Sequence, residues 1–391
     1  MAVASGLSRL LDAPSSAAAL PPDSPFRRKP RMPSRPRPRD FYDSFESRVL
    51  FYDAFWHCDG ERILLVGPPP LNLGWEYYTA KFTAQPLDFW LGSRFFISES
   101  VMLTELTNVP RNTTEVIAHI AGQEFVLPIR RNFAPDLAGQ NVVFTMSRDN
   151  DLRWITEWAR YHARVHNADA VVLFDNGSTR YAPEDIEAAL LEVPELARIA
   201  VLSWPQSYGA PDRAVLNNPF YPLFLQISSM SVALRRFAPF AHGLLNCDID
   251  ELVATPPGTT IFDLLDRSWR GLIVMRGRYM EAIPVAGAPP VGERTHRHYP
   301  FQLIDPKARQ SRQKKWALQP TRPWTQSLRV HPYMHWIRGR PLLSKSTPAG
   351  VFYRHFRAIS TGWKDNRTVP PTLPPEALQR DDDLINLTRE F

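Results

Sequence analysis

Cysteine is almost absent: Cys58 and Cys247 are the two in 391 residues. Two thiols cannot form a disulfide framework, and such usage points to a reducing compartment. Nowhere do eighteen apolar residues follow one another, which excludes an ordinary hydrophobic spanning helix. The first twenty residues carry Arg9 and Asp12 inside a weakly apolar stretch. They lack the basic start and continuous apolar centre of a secretory signal. The expectation is a soluble, cytoplasmic protein whose sequons at Asn112, Asn176, Asn366 and Asn386 carry no sugar. Internal repeats are missing too.

Proline, by contrast, is abundant: 38 residues, about twice the usual share of roughly 5%. With 44% hydrophobic and 22% charged residues, the chain has the means to build a core. A net charge of +6 suits an anionic ligand such as a nucleotide, a nucleic acid or a membrane surface. It does not choose among them. Residues 1–40 end in "PFRRKPRMPSRPRPRD" and read as a disordered tail. Its charge fits peripheral contact with an anionic (inner) membrane, although a solvating leader is the simpler reading. Residues 41–139 hold short β-branched and aromatic runs such as "RILLVG" and "QEFVLPIR", broken by glycine and proline. They predict a small β-rich domain.

From Gln140 the pattern alternates. "NVVFTMS", "ADAVVLFDNGS", "ARIAVLSWP" and "HGLLNCDIDEL" read as strands. Between them lie helical segments, "DLRWITEWARYHARVHN", the proline-led "PEDIEAALLEV" and "LFLQISSMSVALRRFA". This predicts an α/β fold with a doubly wound, mostly parallel sheet and helices on both faces. In such sheets ligands sit at the carboxyl ends of the strands, and three of the strands end in acids. Ser147 to Asp151 follow the first, Asp175 to Thr179 the second, and Asp248, Asp250 and Glu251 the fourth. Any one of these alone is commonly a cap or turn residue. In an extended segment Asp248 and Asp250 point the same way, and hard oxygen ligands suit Mg²⁺ or Mn²⁺ completed by substrate phosphates.

The run from Ser147 to Thr179, "SRDNDLRWITEWARYHARVHNADAVVLFDNGST", resembles the opening of nucleotide-sugar-dependent glycosyltransferases of the GT-A fold. The likeness is to the DUF23-like, family 92-type group, related to glycosyltransferase family 2. Asn150-Asp151, Glu157-Trp158, Tyr161-His162 and Asp175-Asn176-Gly177-Ser178 carry it, with Asp151 standing where Glu is usual. It continues through "VLSWP", Gln226, "CDIDEL", "KKWALQP", "VHPYMHWI" and "YRHFRAISTGWKDNR", roughly residues 140–367. Residues 368–391 read as a C-terminal tail. Departures are Thr179-Arg180 for the usual Asp after the serine, and Phe356 and Ile359 for Tyr and Lys in the last motif.

The resemblance implies a metal-dependent hexosyltransferase that moves a sugar, from a UDP-sugar in the first instance, to a glycan or lipid-linked acceptor. Bacterial surface polysaccharide synthesis is the expected setting. By position, Ser147, Asp151 and Asp175 match the donor's nucleoside, and Asp248 and Asp250 the metal–diphosphate motif. His355, or else His331 or His335, stands for a late metal ligand. Lys315 lies in a basic stretch that suits the diphosphate, or is a solvated loop. Trp336 and Trp363 suit stacking on sugar or a place in the core. Glu251 and Glu281 are the candidates for a catalytic base if configuration inverts, with Glu251 open as ligand, base or neighbour. A non-catalytic carbohydrate- or nucleotide-binding protein on the same scaffold is the alternative. A nucleotidyltransferase is a further one, disfavoured because "FTMSRDND" lacks a glycine-rich loop. No helix presents a dense basic face, so nucleic acid is not an expected partner. Oligomeric state is not legible.

Overall fold

The structure, a computed structural model, describes residues 8–304, 310–361 and 375–391. Its centre is an eight-stranded sheet. The strands are β1 (Asn141–Ser147), β2 (Ala170–Asp175), β3 (Arg198–Ser203), β4 (Gly243–Asn246), β5 (Glu251–Ala254), β6 (Leu272–Met280), β7 (Gln310–Leu318) and β8 (Phe352–Phe356). They lie in the order β3-β2-β1-β4-β7-β6-β8-β5. The interior strands β1, β2 and β4 are buried on both faces, as their continuous apolar runs require.

Alternation along these strands sorts two cores. Val143, Val171, Leu173, Leu245 and Ala317 face one side, where helices α1 (Leu152–His166) and α2 (Pro183–Leu191) pack. Phe144, Val172, Phe174, Leu244 and Trp316 face the other, covered by α3 (Phe224–Val232) and by aromatic residues of the N-terminal half. Asp151 caps α1 through the Arg153 N–H, and Asn167 ends it in the left-handed conformation at φ 54°. Helix α3 is buried on every side, the mark of a core helix.

The sheet is mixed, and this corrects the mostly parallel expectation. The block β3-β2-β1-β4 is parallel. Beyond it β4/β7, β6/β7 and β5/β8 are antiparallel, and β6/β8 is parallel. Period-two patterning identifies strands but does not choose their partners. The segment "HGLLNCDIDEL" is likewise not one strand. It ends as β4 at Asn246, turns, and restarts as β5 on the far edge of the sheet.

Residues 53–128 form two four-stranded antiparallel sheets around a core of their own. This β-rich region also shares a core with the main sheet, through Phe55, Leu64, Val66 and Leu103. The Pro/Arg-rich segment read as a disordered tail is packed from residue 8 to residue 40. Leu11 N–H donates to the Ile199 carbonyl at 2.8 Å, and the Ile199 N–H to Arg9 at 2.8 Å, beside β3. Arg28 is buried and donates to Pro69 and Val49 carbonyls at 2.8 and 2.7 Å; Arg37 grips Asp212 at 2.9 and 2.8 Å. Arginine held by protein carbonyls and carboxylates, and proline with no N–H to satisfy, pack without being apolar. At the other end Leu378–Arg380 pairs with Phe301–Leu303, and buried Arg354 clamps Asp381 at 2.7 and 2.9 Å, so this stretch too is no loose tail. Among the described residues no helix is long and apolar enough to cross a membrane.

One ion pair joins the N-terminal half to the helix layer. Asp53 accepts from Arg236, on the helical turn after α3, at 2.9 Å with both side chains fully buried, and from the Ser16 and Ala54 N–H groups at 3.0 Å. Truncating one partner strands the other charge in the core. Asp53→Ala is therefore expected to cost about 3–5 kcal/mol, read as a lowered urea midpoint. An unchanged midpoint would show that the two halves do not depend on this pair.

Candidate functional site

Strands β1, β2 and β4 run parallel, so their carboxyl ends share one rim of the sheet. The acids at the first two tips serve the loops. Asp151 accepts from the Arg153 N–H at 3.0 Å and holds its guanidinium at 2.9 and 2.5 Å. Asp175 receives the Ser178 hydroxyl at 2.5 Å and its N–H at 3.3 and 3.2 Å, closing a turn. Asp149, in the left-handed region at φ 54°, accepts from the Thr179 and Arg180 N–H groups at 2.7 and 3.0 Å and so ties the two tips together. Ser147 is buried and accepts from Asn150 Nδ2 at 2.9 Å. Among the described residues the acids able to meet at one point are Asp248, Asp250 and Glu251, whose ligand oxygens lie within 4.8 Å of one another.

Asp248 and Asp250 sit on the turn between β4 and β5, not along an extended strand, and Glu251 is the first residue of β5. Backbone bonds fix the turn: the Glu251 N–H donates to the Asp248 carbonyl at 3.0 Å and the Phe356 N–H to the Asp250 carbonyl at 2.9 Å. His296 Nε2 donates to the Ile249 carbonyl at 2.7 Å, and the Ile249 side chain anchors in the core. The sheet register then delivers the partners. Glu251 pairs with His355 across β5/β8, and His355 with Tyr279 across β8/β6. Lys315 pairs with Met275 on the same face of β6/β7. Gly277 lies between them; a Cβ there would stand 2.5 Å from the Tyr353 ring.

Lys315 is the central cation. Its Nζ lies 2.5 Å from Asp248 and 3.0 Å from Glu251, and its side chain is 2% exposed. Burial works to lower the Lys315 pKa, but the Asp248 and Glu251 carboxylates overcome it and hold the ammonium well above the ordinary range. Glu251 is fully buried and also accepts from the Asp248 N–H at 3.0 Å. Burial pushes its carboxyl from 4.5 up to about 7, with Asp248 and Asp250 adding to the rise and Lys315 and His355 opposing it. His355 Nε2 stands 3.2 Å from Asp250, and Nδ1 3.7 Å from Glu251. Asp248 and Asp250 remain 37% and 26% exposed, so solvent reaches them but not Glu251.

Sequence patterning missed several neighbours. Tyr208, from the loop after β3, donates to Gln226 at 2.6 Å, and burial together with Asp248 and Asp250 raises its pKa. Glu157 is buried under the loop 295–297, where it accepts from the Thr295 hydroxyl and, at 2.9 Å, from the Arg297 N–H. The His296 ring lies 3.6 Å from it. Burial opposes the Glu157 charge, yet His296 and these donors hold its pKa below the usual range. An acid within the apolar face of α1 was the available signal. Glu281 follows β6, two residues past Tyr279; its Oε1 is buried without a hydrogen-bond partner and Arg357 lies 3.5 Å from Oε2. Burial raises the Glu281 pKa and Arg357 offsets part of the rise. His331 and His335 lie elsewhere, on a separate hairpin and against the Lys314 carbonyl at 2.8 Å. Trp336 is 45% exposed, and Trp363 lies outside the described residues.

No family model matches the chain, and no curated protein matches it. Among solved structures it is similar to the apo form of the bifunctional glycosyltransferase WbbM, with 11% identity and a TM-score of 0.26. The likeness covers 40% of this chain and 26% of that one, so the chain spans about a quarter of its length. At that score nothing below rests on it.

Glu251 binds its proton more tightly folded than unfolded. That contribution to stability is complete below pH 4.5 and is lost as pH rises through about 7. Relative to Glu251→Gln, the native chain is therefore expected to lose on the order of 3 kcal/mol over this range. Urea unfolding at a series of pH values reads the difference, and parallel profiles would show that folding leaves the Glu251 pKa unchanged.

Proposed function

We propose that the chain is a metal-dependent glycosyltransferase acting on a nucleotide-sugar donor, a UDP-sugar in the first instance, and a glycan or lipid-linked acceptor. The observation that carries this reading is the meeting of Asp248, Asp250, Glu251, Lys315 and His355 beyond the carboxyl ends of parallel strands. The sequence resemblance described above places the same Asp-x-Asp at the donor diphosphate. The donor set fits Mn²⁺ or Mg²⁺: two accessible carboxylates with a histidine beside them, leaving positions for phosphate and water. Asp248 and Asp250 would hold the ion, with His355 next to Asp250. Bound there, it would supply Lewis-acid stabilisation of the departing diphosphate.

The chain's own residues account for the rest of the reading. Lys315 neutralises the acids when no diphosphate is present. Glu251 is shielded from solvent and receives Lys315 and the Asp248 N–H, which suits positioning better than proton abstraction from an acceptor. Glu281 has a buried oxygen with no partner and a raised pKa, the condition of a general base. We assign that role to Glu281 if configuration inverts. Ser147, Asp151 and Asp175 keep a place at the nucleoside through the two tip loops they hold rather than by free carboxylates.

Donor hydrolysis with Mn²⁺, screened over UDP- and GDP-sugars, tests the reading. Asp250→Ala is expected to lower the metal-dependent rate by about 10²–10³-fold, the equivalent of several kcal/mol, with the melting temperature unchanged. Equal hydrolysis by the variant would remove the metal role. Nucleotide binding without hydrolysis by either protein would favour the non-catalytic reading, with Lys315 as the permanent counter-ion.

A further inference from the structure

A groove of about 710 Å³ runs between the N-terminal β-rich region and the hairpin that follows β7. One wall is the strand Gly92–Ile97, which lies at the edge of its sheet and brings Arg94, Phe95 and Phe96 to the groove. The other wall carries Arg329, His331 and Arg338. The hairpin is fastened to the strands of the acidic site: Asn246, at the end of β4, donates to the Met334 carbonyl at 3.0 Å, and Trp316 of β7 to Tyr333 at 2.6 Å. The groove thus shares strands β4 and β7 with the proposed donor site.

Its charge is unevenly balanced. Arg338 pairs with Glu99 at 2.9 Å. Arg94 reaches Glu105 only at 3.8 Å, and that carboxylate is already held by Arg62. Among the described residues no side-chain partner of Arg329 is found, and Arg94 is 73% exposed. His331 is 3% exposed and its Nδ1 has no hydrogen-bond partner. Burial, with Arg235 and Arg338 nearby, lowers the ring's pKa to about 4, so it stands neutral at physiological pH with an unmet polar atom. Guanidinium groups recognise carboxylate and phosphate through paired donors. Phe96, packed against the shared core, supplies an apolar face, and on the hairpin Trp336 stacks on Tyr333 at 5.3 Å. An edge strand adds backbone donors and acceptors with no strand partner on that side.

We propose that this groove binds an acidic saccharide, a chain bearing carboxylate or phosphate groups, as the acceptor or its extension. The saccharide identity rests on the transferase reading; the preference for an anion rests on the groove alone.

The full chain, without nucleotide or metal, is titrated calorimetrically with four probes. These are an oligogalacturonate, a phosphorylated oligomannoside, neutral maltohexaose and a single-stranded oligothymidylate. Binding of the carboxylated or the phosphorylated sugar, with maltohexaose at least tenfold weaker, is the expected result, and the two acidic arms identify the group recognised. The double variant Arg94→Ala/Arg329→Ala, at two exposed positions, should lose at least tenfold in that affinity while its melting temperature and donor hydrolysis stay unchanged. Equal affinity for maltohexaose, tighter binding of the oligothymidylate, no binding of either acidic sugar, or undiminished affinity in the double variant would each overturn the proposal. Acidic-sugar binding that persists where no donor is hydrolysed would sink the transferase reading and leave the groove standing.

Discussion

The ammonium of Lys315 makes the acidic turn possible. Three carboxylates whose oxygens approach within 4.8 Å repel one another, and Glu251 lies where water cannot screen it. Desolvated charge of one sign is tolerated only beside its opposite. Lys315 supplies that from β7, His355 stands beside Asp250 from β8, and the two strands reach the turn only because β6 lies between them. The mixed half of the sheet therefore has a role besides core formation. It carries the cation and the imidazole to acids that the parallel half delivers.

Much of this was legible in the residues. Apolar runs marked β1 to β4, helical spacing marked α1, and Asp248-x-Asp250 marked the acids, though as the end of a strand and not as a turn. The rest was hidden for identifiable reasons. Lys315 sat in a run of cations that also reads as a solvated loop, because which cation is buried depends on register, and register is a property of two strands. Glu251 began a new strand on the opposite edge, invisible to a reading that treated "CDIDEL" as one segment. The Arg-rich N-terminal segment looked unfolded by composition, yet its arginines bond to carbonyls and to Asp212. Asp151 and Asp175 had the right chemistry for a ligand, but their own loops claimed it.

The position of the turn links the two halves of the molecule. Behind it, Glu157 and His296 connect α1 to the Ile249 carbonyl, so the helix that opens the α/β region also braces the acids. Beside it, Asn246 and Trp316 fasten the hairpin whose outer side faces the β-rich region. Donor chemistry on one side of these strands and an arginine-lined groove on the other would give a transferase its two substrates on one rigid frame. The shared core around Phe55, Leu64, Phe144 and Phe174 keeps that frame from hinging freely.

The central claim is that Asp248 and Asp250 take a divalent ion together with a diphosphate. Electron paramagnetic resonance of Mn²⁺ mixed with the full chain and excess UDP addresses it without requiring turnover. The account predicts that the free-ion signal is quenched by the native chain when UDP is present and returns with Asp250→Ala. A free-ion signal of full intensity in the native chain, with UDP and GDP alike, would contradict it.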